Sequence, residues 1–234
     1  MEFSIEAEVF TMFPEITLAV AVGTGIRPEL RADQVAHQWR AAWETAGRAA
    51  LVWPNPQSHP RVKPWRDAFR AMGVSPRDYP SSIEAMLRRA MKGSTAFSVM
   101  PLVDFYNTVS LTHIVPVGGF DLDRVHRGVA LRRTRSGDHY RALDQEEAIG
   151  VPPGEVAYAD GSTILTRHFV WRQASEGLIR PTTRNVFLVS EVLGPVGRHV
   201  AHEVLRDLSD GLTTLFEAET ATFILDADHV HAAW

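Results

Sequence analysis

Phe3, Ile5, Ala7 and Val9 alternate with Ser4, Glu6 and Glu8, the two-residue period of a strand with one buried face. Residues 16–22 are apolar but for Thr17 and closed by Gly23 and Gly25, which predicts a second strand buried on both faces. The period then lengthens. Over 30–46, Val35, Trp39, Ala42, Trp43 and Ala46 fall on one stripe of a helix. Pro54, Pro56, Pro60 and Pro64 make the stretch to Lys63 a loop, and Pro64 suits the first turn of a helix through Met72. Ser81-Ser82-Ile83-Glu84 has the form of a capping box, in which the Ser hydroxyl accepts from a backbone N–H and the Glu reaches back. It opens a helix with Ile83, Met86, Leu87 and Ala90 apolar, stopped at Gly93. Residues 102–113 predict another helix, with Leu102, Phe105, Tyr106 and Val109 on one side.

Gly118-Gly119 has the form of a turn, and after it the pattern shortens to β-like runs at 129–132, 156–159, 163–165, 169–171 and 186–189. A helix over 196–216 and a strand over 221–225 close the chain. No repeat, low-complexity tract or linker divides it. The order of elements predicts one α+β domain over 1–234, mixed sheets with packed helices, and not the regular alternation of a doubly wound fold.

At 45% hydrophobic and 22% charged residues the chain can bury a substantial core, which sets disorder aside. The start is acidic and alternating, unlike a secretory signal, and the longest apolar run falls far short of the ~20 residues that cross a bilayer. A soluble cytoplasmic protein with no membrane partner, monomeric by default, is expected. The absence of cysteine excludes disulfides, thiolate catalysis and sulfur-ligated zinc. The net charge of −4 is unevenly spread: between Arg61 and Arg141 there are 14 Lys and Arg against 7 Asp and Glu, and the remainder is acidic. A polyanion would meet positive potential in the middle of the chain.

Motifs for nucleotide, dinucleotide or serine-hydrolase chemistry are missing, and no cofactor is expected. His199 and His202, three apart on a helix beside Glu203, lack the H-E-x-x-H spacing and a third ligand, so they read as surface histidines and no metal is expected. His229 and His231 read as solvated tail residues. The distinctive feature is a series of polar and glycine segments: Leu102 through His113, Pro116 through Asp123, Gly154 through Asp160, Arg167 through Gln173, and Thr182 through Asn185. A helix carrying Asp104 and Asn107 leads to Gly118-Gly119, where backbone N–H groups can approach a ligand, and later polar residues can converge there.

Val103-Asp104, Asn107, Pro116 and Phe120-Asp121-Leu122-Asp123 stand in the order and spacing of the V-D-x-x-N…P…F-D-L-D segment of the phenylalanyl-tRNA synthetase beta subunit. Leu143-Asp144 resembles its later L-D-G, the strand ending at Asp160 its V-I-A-D, and Thr182-Thr183 with the run 186–189 its T-T-x-V-L-L-E. The segment 62–191 thus resembles the editing module of that synthetase. Pro64-Trp65-Arg66-Asp67-Ala68-Phe69 and Tyr106-Asn107-Thr108-Val109-Ser110-Leu111 are similar to freestanding copies of the module, which carry an N-terminal extension like 1–60 here.

The resemblance implies an editing-domain-like α+β fold and a trans-acting aminoacyl-tRNA deacylase, with aminoacyl-tRNA or a free amino acid as partner. A non-catalytic module that kept the pocket and binds tRNA or an amino acid is the alternative. Asn107 and Asp121 would orient the ligand or its ammonium, with Gly118 and Gly119 beside it. Arg132, Arg172 and Gln173 would meet the ester or ribose, and Thr183 and Asn185 the far wall. Arg66, Arg70, Arg88, Arg89 and Lys92 of the basic segment would hold the acceptor stem. Two positions depart from the pattern: Gly118 stands where the module has its pocket histidine, and Val189 where it has the glutamate associated with the tyrosine hydroxyl. Both argue against tyrosine. Hydrolysis stays open, because an aminoacyl ester is labile and a positioned water, oxyanion donors and the terminal ribose hydroxyl can suffice without a protein nucleophile.

Overall fold

The computed structural model describes residues 1–194 and 197–234. In chain order the elements are β1 (Glu2–Ile5), α1 (Ala7–Met12), β2 (Thr17–Thr24), α2 (Ala32–Ala49), α3 (Lys63–Ala71), α4 (Ser82–Met91) and α5 (Pro101–His113). There follow β3 (Val117–Asp121), β4 (Val129–Arg133), β5 (His139–Tyr140), β6 (Ile149–Gly150), β7 (Val156–Asp160), β8 (Thr163–Ile164), β9 (Thr166–Arg167) and β10 (Arg172–Gln173). The chain ends with β11 (Val186–Val192), α6 (Gly197–Phe216), β12 (Glu219–Leu225) and β13 (His231–Ala233). The fold is α+β, as the order of patterns predicts. Position 196, the predicted start of the last helix, lies outside the described residues.

Two sheets face one another. One is antiparallel with order β12-β2-β11-β3, and the other is mixed with order β13-β1-β4-β7-β8-β5-β6. Between them pack Leu18 and Val20 from β2, Phe187 and Val189 from β11, and Phe120 from β3, against Phe3, Leu131 and Tyr158 from the second sheet. The outer face of the first sheet is covered in turn: Ala19, Ala21, Leu188 and Val192 meet Phe105 and Val109 of α5 and Val204, Leu208 and Leu212 of α6. Every residue of β11, and all of β2 but its last, is therefore buried, which is why these runs show no polar alternation. Helices α2 and α4 build a third cluster from Trp39, Trp43, Ile83 and Leu87 with Leu111 of α5. Among the described residues no helix is long and apolar enough to cross a membrane.

Several local expectations are corrected. The alternation from Phe3 ends at Ile5, and the chain turns into α1 because Val9, Phe10 and Phe13 are buried together, at helical and not strand spacing. Gly118-Gly119 is no turn; both lie within β3, paired with Val189 and Leu188. The run 169–171 is the turn between β9 and β10, with φ of +47° at His168 and +62° at Phe169. It is held by Glu155, whose carboxylate accepts from Arg167 Nε at 2.8 and 2.9 Å and from the His168 N–H. Ser81 caps α4 by accepting from Glu84 N at 3.4 Å, but the Glu84 side chain does not reach back. It is fully buried and accepts from Arg66 at 2.8 Å and Arg88 at 2.6 Å. His231 belongs to a strand, β13 on β1, although its side chain is half exposed.

Arg132, expected at an ester or ribose, is instead buried within the second sheet. Its guanidinium donates to both oxygens of Asp138 at 2.7 and 2.9 Å and to the Gly161 and Arg133 carbonyls. Burial pushes the Asp138 carboxyl up, but Arg132 and the Arg135 N–H outweigh it and hold it below the ordinary value. Replacing one member of such a pair strands the other charge. Arg132→Met is expected to destabilise the protein by about 3–5 kcal/mol in denaturant unfolding; a midpoint unchanged from wild type would remove the structural role assigned to this pair.

Candidate functional site

Strand β3 is an edge of its sheet, and the cavity opens there. Its volume is about 200 Å³. The two glycines of β3 serve different ends. A Cβ on Gly119 would lie 2.5 Å from Leu188 Cδ2 and 2.9 Å from the Phe187 carbonyl, so this residue is glycine for packing. A Cβ on Gly118 would meet nothing within 4 Å, because that side of the strand is open cavity. Gly118 and Val189 are register partners across β3 and β11, so the two departures from the editing-module pattern face each other and form one apolar stretch of wall.

The hairpin β9–β10 forms the opposite wall, contributing Thr166, Phe169, Val170, Trp171, Arg172 and Gln173. The left-handed backbone at His168 and Phe169 is costly for residues with side chains, and it turns the Phe169 ring inward beside Tyr158, at 6.1 Å between centroids. Gln173 Nε2 donates to the Gly119 carbonyl at 2.9 Å and fastens the hairpin to the edge strand. In an extended strand the N–H and C=O of one residue point to the same side. The Gly119 N–H therefore also faces away from β11, towards the hairpin.

Helix α5 supplies Tyr106 and Asn107. Both are largely buried, and neither side chain has a hydrogen-bond partner among the described residues. Burial, with Asp104 nearby, pushes the Tyr106 phenol up, so it stays protonated. At the closed end Tyr158 donates to Glu191 Oε1, and among the described residues no other residue bonds the carboxyl. Burial pushes Glu191 up to about 8, although the Tyr158 bond and its own N–H pull the other way. The carboxyl is therefore mainly neutral at pH 7. Burial and the adjacent Glu191 likewise raise Tyr158. Glu191 and Tyr158 were not singled out from the sequence; the available signal was one acidic residue inside the otherwise apolar run 186–192.

The residues expected at the site divide into groups. Asn107, Gly118, Gly119, Arg172 and Gln173 line the cavity together, with Arg172 at the mouth and paired with Asp144 at 3.0 Å. Asp121, Thr183 and Asn185 do not line it. Asp121 accepts from Thr183 Oγ1 at 2.7 Å and Asp123 N at 3.1 Å, while Asn185 donates to Asp123 at 2.7 Å and accepts from Gly25 N at 3.3 Å. These three staple the end of β3 to the start of β11, so their expected ligand contacts are corrected to a structural role. Of the expected tRNA contacts, Arg66 and Arg88 are spent on Glu84 and Arg70 pairs with Asp67, while Arg89 lies over the Phe97 ring and Lys92 is exposed. His199 is exposed, 3.5 Å from Glu203, and among the described residues no group of three His, Asp or Glu is placed to hold a metal.

The family model described as B3/4 domain matches residues 64–216, more than half of the chain. The crystal structure of an N-terminal fragment of the phenylalanyl-tRNA synthetase beta-subunit from Pyrococcus horikoshii is similar over 95% of this chain, at 9% identity and a TM-score of 0.43. The chain spans 53% of the length of that fragment. No curated protein matches it.

Two predictions follow from the cavity itself. The folded value of Glu191 lies above the ordinary 4.5, so between pH 4.5 and 8 the folded chain keeps a proton that the unfolded chain gives up. Stability should fall with rising pH across that window, by at most about 1.4 kcal/mol per pH unit. Glu191→Gln should flatten the slope in denaturant titrations at pH 5.5 and 7.5; a wild-type slope no steeper than the mutant's would contradict a buried, protonated carboxyl. Separately, Gly119→Ala should lose about 1–3 kcal/mol through overpacking, while Gly118→Ala keeps wild-type stability to within about 1 kcal/mol. Equal losses at the two positions would contradict the assignment of one to packing and the other to open space.

Proposed function

From the premise that the chain belongs to the B3/4 domain family, we propose that the cavity at the β3 edge receives the aminoacyl group of an aminoacyl-tRNA, and that the protein hydrolyses that ester in trans. The observation that carries this reading is the convergence of unused hydrogen-bonding groups, the Asn107 amide and the outward Gly119 N–H, on an open glycine edge beside an apolar cavity. A small polar ligand is held in that way: a few fixed donors in a mostly apolar pocket.

The chemistry asks little of the protein. A water adds to the ester carbonyl, and the negative charge gathers on the carbonyl oxygen. The intermediate collapses with loss of the ribose oxygen, which takes up a proton, leaving a free amino acid and deacylated tRNA. Donors fixed before the reaction favour the charged intermediate over the neutral ester. Gly119 N–H and Asn107 Nδ2 are the donors assigned to that oxygen. Gly118 lets the substrate approach the backbone, and Arg172 at the mouth lies towards the ribose and phosphate side. The acceptor stem is held by exposed cations such as Arg89 and Lys92, since Arg66 and Arg88 are engaged internally.

A panel of matched and mismatched aminoacyl-tRNAs, followed for release of the amino acid, tests the reading. Wild type should speed release of one member, and Asn107→Ala should lower that rate by about 100-fold, the scale of a lost oxyanion donor. Release by neither protein from any member, with tRNA binding retained, would replace hydrolysis with binding alone.

A further inference from the structure

The closed end of the cavity poses a question that ester hydrolysis does not answer. Glu191 is 3% exposed and no Lys or Arg is paired with it among the described residues. A carboxyl enclosed in this way is costly to ionise without a counter-charge. Arg172 is the cation that lines the cavity, and it is at the mouth with Asp144. Around the carboxyl stand aromatic rings: Tyr158 bonds it, and Phe120 and Phe169 flank Tyr158 at 5.5 and 6.1 Å between centroids. Tyr106 and Trp171 also line the cavity. Aromatic faces and an uncompensated carboxyl attract the same thing, a positive charge. A ligand hydroxyl would bring a second neutral partner where Tyr158 already supplies one.

We propose that this end is a cation subsite, in which the free Glu191 oxygen and the surrounding rings receive the ammonium at the tip of a side chain, so that the aminoacyl group handled here belongs to a basic amino acid. The inference rests on the reading of the cavity as an aminoacyl site. The open wall at Gly118 and Val189 gives an aliphatic stem room to pass from the mouth to the carboxyl.

Binding is coupled to a proton. The empty site holds Glu191 mainly protonated, because burial raises it to about 8. An arriving ammonium makes the carboxylate favourable, and the proton leaves to solvent. The groups facing the carboxyl are Tyr158 from β7, with Tyr106 of α5 and Arg172 of β10 lining the same space; β2 presents Leu18 as its register partner, and the β3 wall is Val117 and Gly118. The two phenols remain protonated over the range concerned.

Calorimetric titration with amino-acid amides tests this, since each carries the same α-ammonium and a blocked carboxyl. Lysine and ornithine amides should bind wild type at least tenfold more tightly than norleucine and tyrosine amides. Binding at pH 6.5 should release about one proton per ligand, read from buffers of different ionisation enthalpy, and the release should shrink above pH 8. Glu191→Gln should bring the four amides to within about threefold of one another and abolish the release. Norleucine or tyrosine amide binding as tightly as lysine amide, no binding by any amide, or basic amides binding without proton release would overturn the proposal. The proton count uses wild type alone, so it stands even if the variant folds poorly. Preference for basic amides in a protein that deacylates no tRNA would keep the subsite and remove the hydrolase; release of an uncharged amino acid without that preference would do the reverse.

Discussion

Strand β11 is enclosed on both faces, by the second sheet on one side and by α5 and α6 on the other, and at Glu191 that enclosure takes in a carboxyl group. Leaving a polar group in such a place without a partner costs on the order of a few kcal/mol. Tyr158, reaching across from β7, supplies the partner and so ties the two sheets together at the point where they part to form the cavity. The fold and the site therefore share one bond. The arrangement that lets the sheets close over Glu191 also keeps it neutral, and leaves one oxygen for whatever enters.

The edge strand sets the other boundary. Gly119 lets β3 lie close enough to Leu188 for the helical layer to pack, and Gly118 leaves the opposite side of the strand bare. An exposed edge invites pairing with other chains. Here the hairpin β9–β10 and the segment that follows it shield part of it, through Gln173 on the Gly119 carbonyl and through the Gly177 carbonyl on Asp121 N. The same hairpin carries a left-handed His168-Phe169 turn fixed by Glu155. Strain at the turn, the shielded edge and the aromatic wall are thus consequences of one local structure, and the unused donors Asn107 and Gly119 N–H lie where that wall and the edge meet.

Much of this was legible in the sequence where one face of an element decides its pattern. The stripe of Val35, Trp39 and Trp43, the Ser81 cap and the buried runs of β2 and β11 each announce themselves, because local period and burial agree. Gly118-Gly119 did not: two glycines signal a turn by conformational freedom, whereas here they answer to the close approach of Leu188 and to the cavity, which only the β3–β11 pairing creates. The turn at 168–169 was hidden because Phe169, Val170 and Trp171 have the composition of a strand, and a distant carboxylate, Glu155, bends them. Asn107, Gly118, Gly119, Arg172 and Gln173 came together as their order suggested. Asp121, Thr183 and Asn185 were polar for another reason, a staple between strand ends, and Arg132 for another still, its partner Asp138. Sequence order gives the proximity of segments; which polar groups are already spent is a property of the packed structure.

Whether the cavity at the β3 edge holds an aminoacyl group can be seen in a crystal structure with a non-hydrolysable, amide-linked 3′-lysylamino analogue of the tRNA terminal adenosine. In that complex the amide oxygen should lie against Gly119 N–H and Asn107, the side chain should run past Gly118 and Val189, and its ammonium should sit on Glu191. An analogue bound elsewhere, or seated with its side chain outside the cavity and Glu191 still bonded to Tyr158 alone, would contradict it.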